Sequence, residues 1–422
     1  MARLINGAKR NNDGDIFSEL ATSLFYFTEK LYEALVDQHI EDIYFMSREG
    51  QPLMRMFNMY QKRVNGNITP HYLEVSRRST LLPSLAPLAD ENFETLFRQY
   101  RCISLLEFLS SLGLEKYAKK ISRSLALTNG AERQRQQDFP TSPIFSALIA
   151  LPDFEVLYES ERIARHKAFL AYLSDLSGTH LPHELTVVDV GWKGTIQDNL
   201  YALLCRNHNT PVHTLAGYYV GLVAEGAACS RNKKYGLLFS SVGETTPKFH
   251  IFNENRALFE ILLAANHGSI IGYEFKPDGH AYPIQGPFDE HDMLATRVFP
   301  VQRQVFQNFE RILETIPNSV MRRPIPFKEA VRAHSRMVFR PTSRERIWFS
   351  SVFHVENYGV FERSRFTSPE KMPGIAQRLR FVKRAFLNHD PGTLGFWPYL
   401  TLYNKVGALF AAIYAAIRRL QP

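Results

Sequence analysis

Three times in its first half the chain runs a short apolar segment into a polar loop and then into a helical pattern: IYFMSREG at 43–50, YLEVSRRS at 72–79 and LTVVDVGWKGT at 185–195. A short apolar run bounded by polar turns reads as a strand buried on both faces, and strands separated by helices join into a parallel sheet through right-handed crossovers. Two more strands are expected at LAGYYVGLV (215–223) and KYGLLFSS (234–241). The fold class that follows is α/β with a parallel-sheet core. Between the second and third strands, residues 90–180 read as mostly helical, interrupted by the polar stretch TNGAERQRQQDFPTSP, and form an inserted cap or hood. The chain thus divides into a first part of the core (1–89), the hood (90–180), a second part of the core (181–285) and a helical C-terminal region (286–422).

In a parallel α/β sheet, ligands bind beyond the carboxyl ends of the strands. Those ends are Ser47, Arg48, Glu49 and Gly50 after the first strand, the loop with Arg77 and Arg78 after the second, and Asp189 through Thr195 after the third. A loop entering a helix offers backbone N–H groups and the positive end of the helix dipole, which suits phosphate. Gly191 and Gly194 would permit close approach, Thr195 would add a hydroxyl donor, and the three arginines would supply countercharge. Asp189, at the end of its strand, is suited to sugar hydroxyls or to a metal ion. The plainer alternatives are a simple strand-to-helix turn, surface ion pairs and a turn-capping aspartate.

Lysine and arginine exceed aspartate and glutamate by 50 − 42 = 8, a balance that suits phosphorylated ligands, anionic membranes or nucleic acid alike. The basic residues are scattered through segments such as MRRPIPF and RPTSRER without a recognition motif, so no nucleic-acid partner is expected. Three separated cysteines form neither a disulfide framework nor a zinc motif, which fits a reducing cytoplasm. No signal peptide or spanning segment is expected. The end of the chain is different: Val406 to Ile417 is a continuous apolar or small run flanked by Lys405 and Arg418, with Trp397, Tyr399, Tyr403 and Tyr414 nearby. That pattern suits a helix lying in a membrane interface, and equally one docked on the core or on a partner subunit. QRLRFVKRAFL (377–387) repeats the basic and apolar mixture. His250, His267, His280 and His334 lack metal-ligand spacing and read as ordinary.

Taken in order, IYFMSREGQPLMRMF, a cap, TVVDVGWKGTIQDNL and GYYVGL resemble the phosphoribosyltransferase fold over roughly residues 20–285. More narrowly, the three strand-end motifs are similar to the region often fused or paired with a haloacid-dehalogenase-type phosphatase in bacterial capsule and O-antigen proteins. The resemblance implies a glycosyltransferase of ribofuranose-containing polysaccharide that moves 5-phosphoribosyl from phosphoribosyl diphosphate to a sugar hydroxyl of a lipid-linked glycan. A separate phosphatase would then remove the 5-phosphate, and Mg²⁺ would assist. By the same resemblance Ser47–Gly50 would hold the diphosphate, Asp189 the ribose hydroxyls, and Gly191, Trp192, Lys193, Gly194 and Thr195 the 5-phosphate. The sequence departs from the common loop, because Val190 stands where a second acid is usual and fewer residues precede the threonine.

A ribosyl donor reacts through an oxocarbenium-like state as charge builds on the leaving diphosphate, so cations and backbone amides are the needed groups. The acceptor hydroxyl calls for a general base. Glu49, Asp198, Glu254 and Glu260 are candidates, the last two favoured. Six residues separate Glu254 from Glu260, a spacing that does not make them one pair on a helix face. The phosphatase chemistry itself needs D-x-D-x-T after a strand, and the DGD at 13–15 has neither the strand nor the threonine. A nucleotide-sugar glycosyltransferase and a non-catalytic scaffold or regulator of polysaccharide assembly remain the alternatives.

Overall fold

The computed structural model describes residues 15–98, 100–178, 181–205, 210–315, 325–357, 361–365, 372, 374–387 and 394–421. At its centre stand β1 (Asp42–Met46), β2 (Thr69–Leu73), β3 (Glu184–Asp189), β4 (Thr214–Leu222) and β5 (Asn232–Ser240). They form one sheet in the order β2-β1-β3-β4-β5, every neighbouring pair parallel. The α/β expectation holds, and all five expected strands are present within a residue or two at each end, apart from β2, which begins and ends earlier.

Side chains alternate across the sheet with the period of two that a strand imposes. Ile43 and Phe45 of β1 and Tyr218 and Val220 of β4 enter one core. Tyr44 and Met46, with Leu215 and Tyr219, enter the other. The central strands β1, β3 and β4 are therefore buried on both faces, which is why they read as apolar runs, whereas the edge strands β2 and β5 are partly exposed and more polar.

Helices cover each face. On the first lie α1 (Leu20–Asp37) and α2 (Gly50–Val64), the connection from β1 to β2. On the second lie the later turns of α4 (Pro152–Leu176) and all of α5 (Thr195–Cys205), the connection from β3 to β4, reached through α3 (Arg77–Ser84). A hairpin of β6 (Ile270–Phe275) and β7 (Ala281–Gln285), not foreseen in the sequence, packs Tyr273 against Phe169 and Tyr172 of α4. The later helices share the first core rather than forming a core of their own. Among them are α6 (Ala257–Leu262) and, in the C-terminal region, α7 (Phe299–Glu314), α8 (Phe327–Phe339), α9 (Ile375–Leu387), α10 (Pro398–Val406) and α11 (Ala408–Leu420). Phe309, Met337, Trp397 and Leu400 are buried together with Leu24 and Phe25 of α1.

The hood has a third core, made from residues of one continuous stretch between Leu81 and Tyr158. Phe93, Phe97, Phe108 and Phe145 meet there mainly edge to face. Its boundaries fall inside α3 and halfway along α4. Tyr158 belongs to the hood, while Phe169 and Leu173 of the same helix belong to the sheet.

Candidate functional site

From β1 the chain winds first to β2 on one side and later to β3 on the other, so the two crossovers α2 and α5 lie on opposite faces. At such a reversal the loops leaving adjacent strands part and leave a crevice beyond the carboxyl ends, where doubly wound sheets bind ligands. The loops that part here are Ser47–Gly50 and Asp189–Thr195, with the entrance to α3 beside them. Three of the strand ends singled out from sequence therefore meet at one edge of the sheet.

Asp189 is the buried centre of this edge. Burial holds its carboxyl well above the usual carboxylate range, and the charges of Glu49 and Glu260 push it the same way. The Val190 amide, which donates to Asp189 Oδ1 at 2.8 Å, and the Arg77 guanidinium oppose them. Carboxylates from three separate segments, with an arginine, thus converge from positions that span most of the core sequence.

The first loop is stitched to the second strand. Ser47 Oγ donates to the Val75 carbonyl at 2.6 Å and accepts from the Val75 amide at 3.0 Å, so this hydroxyl ties β1 to β2. Arg48 turns into a buried ion pair with Glu290 at 2.8 Å, the two side chains being 11% and 5% exposed. Burial disfavours the guanidinium charge, but Glu290 and Glu49 outweigh it and raise the Arg48 pKa. Next to them, the buried Tyr72 hydroxyl is pushed up by burial and then by Glu49. It lies 2.6 Å from His267 Nε2, while His267 Nδ1 lies 2.8 Å from the Gly268 carbonyl. A carbonyl can only accept, so Nδ1 carries a proton, which in the neutral ring leaves Nε2 to accept from Tyr72.

The second loop caps α3 through Ser76, whose hydroxyl accepts from the Ser79 amide while the Ser79 hydroxyl accepts from the Ser76 amide. The two arginines that follow diverge. Arg77 acts on Asp189, whereas Arg78 pairs with Glu115 of the hood.

The third loop lies flat against β4: the Gly221 amide donates to the Val190 carbonyl at 3.1 Å and the Val223 amide to the Trp192 carbonyl at 2.8 Å. Gly191, at φ +137°, sits where a Cβ would come within 2.2 Å of the Gly221 carbonyl oxygen. Packing on β4 requires this glycine, whatever ligand it admits. Peptide bonds 47–48 and 191–192, one in each facing loop, are cis. Trp192 turns inward between Phe239 and Phe259, and its indole N–H donates to Glu260 Oε1 at 2.6 Å, with Arg256 over the ring. Lys193 is exposed, and Thr195 opens α5. Asp198 is committed beneath the loop to buried Lys234 at 2.7 Å and to the Asn232 side chain at 2.9 Å.

Of the two carboxylates favoured as general base, only Glu260 lies near enough for its charge to raise the Asp189 carboxyl. Glu254 is fully buried elsewhere, accepting from the Tyr399 amide at 2.9 Å and the Tyr414 hydroxyl at 2.8 Å, so that the C-terminal helices enclose it. Its role is to anchor those helices. Glu290, Tyr72, His267 and Arg256 were not singled out from sequence. Tyr72 stands in the second strand-end segment but drew no notice there, His267 read as ordinary, and Arg48 and Glu290 are 242 residues apart, so no local signal could have paired them. Among the described residues no group of three or more His, Cys, Asp or Glu side chains forms a metal cage. No family model matches the chain, and no curated protein matches its sequence.

Proposed function

We propose that the crevice at the β1/β3 edge transfers a 5-phosphoribosyl group from phosphoribosyl diphosphate to a sugar hydroxyl of a lipid-linked glycan in ribofuranose-containing polysaccharide synthesis. The observation that carries this reading is the convergence of two facing strand-to-helix loops and Arg77 on the buried carboxyl of Asp189 at the winding reversal of a parallel sheet. Such an edge suits a ligand with phosphates at its rim and sugar hydroxyls at its centre. The finer fold assignment, a phosphoribosyltransferase-like core, belongs to the same proposal.

The roles divide by chemistry. The Glu49 and Gly50 amides at the entrance to α2, with Arg77, face the diphosphate, the Ser47 amide being committed to the Leu73 carbonyl and the Arg48 amide to Glu49 Oε2, and Gly191–Thr195 at the entrance to α5 face the 5-phosphate. Asp189 accepts from ribose hydroxyls. The acceptor oxygen bonds to ribose C1 as the bond from C1 to the diphosphate oxygen breaks. The electron pair leaves with the diphosphate, and Glu260, oriented by the Trp192 indole N–H, takes the acceptor's proton. Asp189 and Glu49 also fit a magnesium ion, because that ion takes one or two carboxylates and completes its shell with substrate phosphates and water. Burial first and the charge of Glu49 second raise the proton affinity of Asp189, and a bound cation would offset the second of these. Bound to the diphosphate, the ion would neutralise charge on the leaving group. A haloacid-dehalogenase-type phosphatase would act on the product afterwards.

The test is incubation of the full chain with phosphoribosyl diphosphate, Mg²⁺ and a panel of lipid-linked and synthetic glycans, read by mass spectrometry. The expected product gains the mass of a phosphopentose, and Asp189→Ala abolishes the gain. No transfer to any acceptor together with no calorimetric binding of the donor would sink the reading. The nucleotide-sugar transferase and the scaffold would then take its place.

A further inference from the structure

Helix α11 is docked by one face only. Its inner side buries Ala411, Tyr414 and Ala415, and the Tyr414 hydroxyl donates to Glu254. Lys248 Nζ reaches the Gln421 carbonyl at 2.5 Å and holds the end of the helix. The outer side is unusual because every exposed residue on it is Ala, Leu or Ile. Leu409, Ile413, Ile417 and Leu420 follow at helical spacing and are 70%, 44%, 44% and 83% exposed. A surface helix ordinarily turns its polar residues to water, and an exposed apolar stripe marks a contact surface.

The charge of the C-terminal segment that carries the stripe points to the partner. From Ile375 to Gln421 the sequence has seven lysines and arginines against one acid, Asp390, and of the seven Arg418 is paired inward with Glu254 at 3.7 Å. Arg380, Lys383 and Arg384 are exposed on α9, as are the apolar residues Ile375 and Leu379. Helix α9 is joined to α10 by Lys405 over the Phe381 ring and by the Met372 amide donating to the Lys405 carbonyl. A 13-residue helix is about 20 Å long, short of the roughly 30 Å hydrocarbon core, so it suits the plane of the interface. We propose that the outer face of α11, with the cations of α9, seats the protein on an anionic lipid bilayer. The inference stands apart from the transfer reaction and survives if that reading fails.

Vesicle co-sedimentation of the full chain tests it, comparing phosphatidylglycerol/phosphatidylcholine vesicles with phosphatidylcholine alone. Binding is expected on the anionic vesicles, weakening between about 0.1 M and about 1 M salt as charges are screened. Ile413→Ser combined with Ile417→Ser should lower the partition coefficient by at least about tenfold, because two side chains no longer leave water. Both positions are exposed, so the native circular dichroism should persist, and Val156→Ser in the hood, also exposed, should bind as wild type. Failure to sediment with anionic vesicles, equal binding to both vesicle types, or unchanged binding of the double variant would each overturn the proposal. So would a dimer in sedimentation velocity that the double variant dissociates, since a second copy would then cover the face.

Discussion

Arg48 was expected to offer its charge to a ligand's phosphates, and the structure gives it a buried protein partner instead. Its position at a strand end was legible in SREG, but the carboxylate that neutralises it comes from Glu290, far along the chain. Removing one member of a buried ion pair strands the other charge in a poorly solvated site. Glu290→Ala is therefore expected to cost about 3–5 kcal/mol in urea unfolding with the denaturant slope unchanged. Glu290→Gln, which keeps a hydrogen-bond acceptor, should cost less. A loss below about 1 kcal/mol in the alanine variant would mean that water or Glu49 already satisfies Arg48. Asp189 and Glu260 present the same lesson at the site itself. Each could be suspected from its neighbours in sequence, yet only folding makes them act on one another.

For whole elements, the docking of α11 has a pH signature. Burial raises the Glu254 carboxyl from its ordinary 4.5 to about 7, against the lowering effects of Arg418, the Tyr414 hydroxyl and the Tyr399 amide. Between those two values the folded chain holds a proton that the unfolded chain releases. This group's contribution is therefore complete below pH 4.5 and is lost as pH rises toward 7, by roughly 3 kcal/mol at about 1.4 kcal/mol per unit. Glutamine cannot titrate, so the stability difference, wild type minus Glu254→Gln, should decline by that order across the window in urea melts at stepped pH. Glu29, also raised to about 7 mainly by burial, is common to both proteins and cancels. A flat difference would show that Glu254 stays ionised in its enclosure. The two glutamates of one sequence segment thus serve different elements: Glu254 holds the C-terminal helices, and Glu260 meets the Trp192 loop.

Across the whole molecule the hood behaves as a unit of its own. Its core draws on one continuous stretch of sequence, whereas both sheet cores assemble residues from distant segments. Phe108, fully buried among Phe93, Phe139 and Phe145, is a central member. Phe108→Ala should remove about 3–5 kcal/mol from the hood. In calorimetry a separate, earlier transition is expected to split off while the main one stays in place. A single transition moving as a whole would instead mean that α4, which carries residues of both cores, couples the two. What the sequence by itself determined is what local periodicity and loop chemistry encode: five strands, a parallel α/β sheet, polar strand ends carrying Arg, Gly and Asp189, and a helical insertion. Tertiary structure alone decided the strand order, and with it the winding reversal that brings the Ser47 and Asp189 loops face to face. It also decided the pairing of Arg48 with Glu290, the parting of Glu254 from Glu260, and the bare outer face of α11. Each of these depends on which distant surfaces are buried together, a long-range balance of desolvation and packing that no short stretch of residues records.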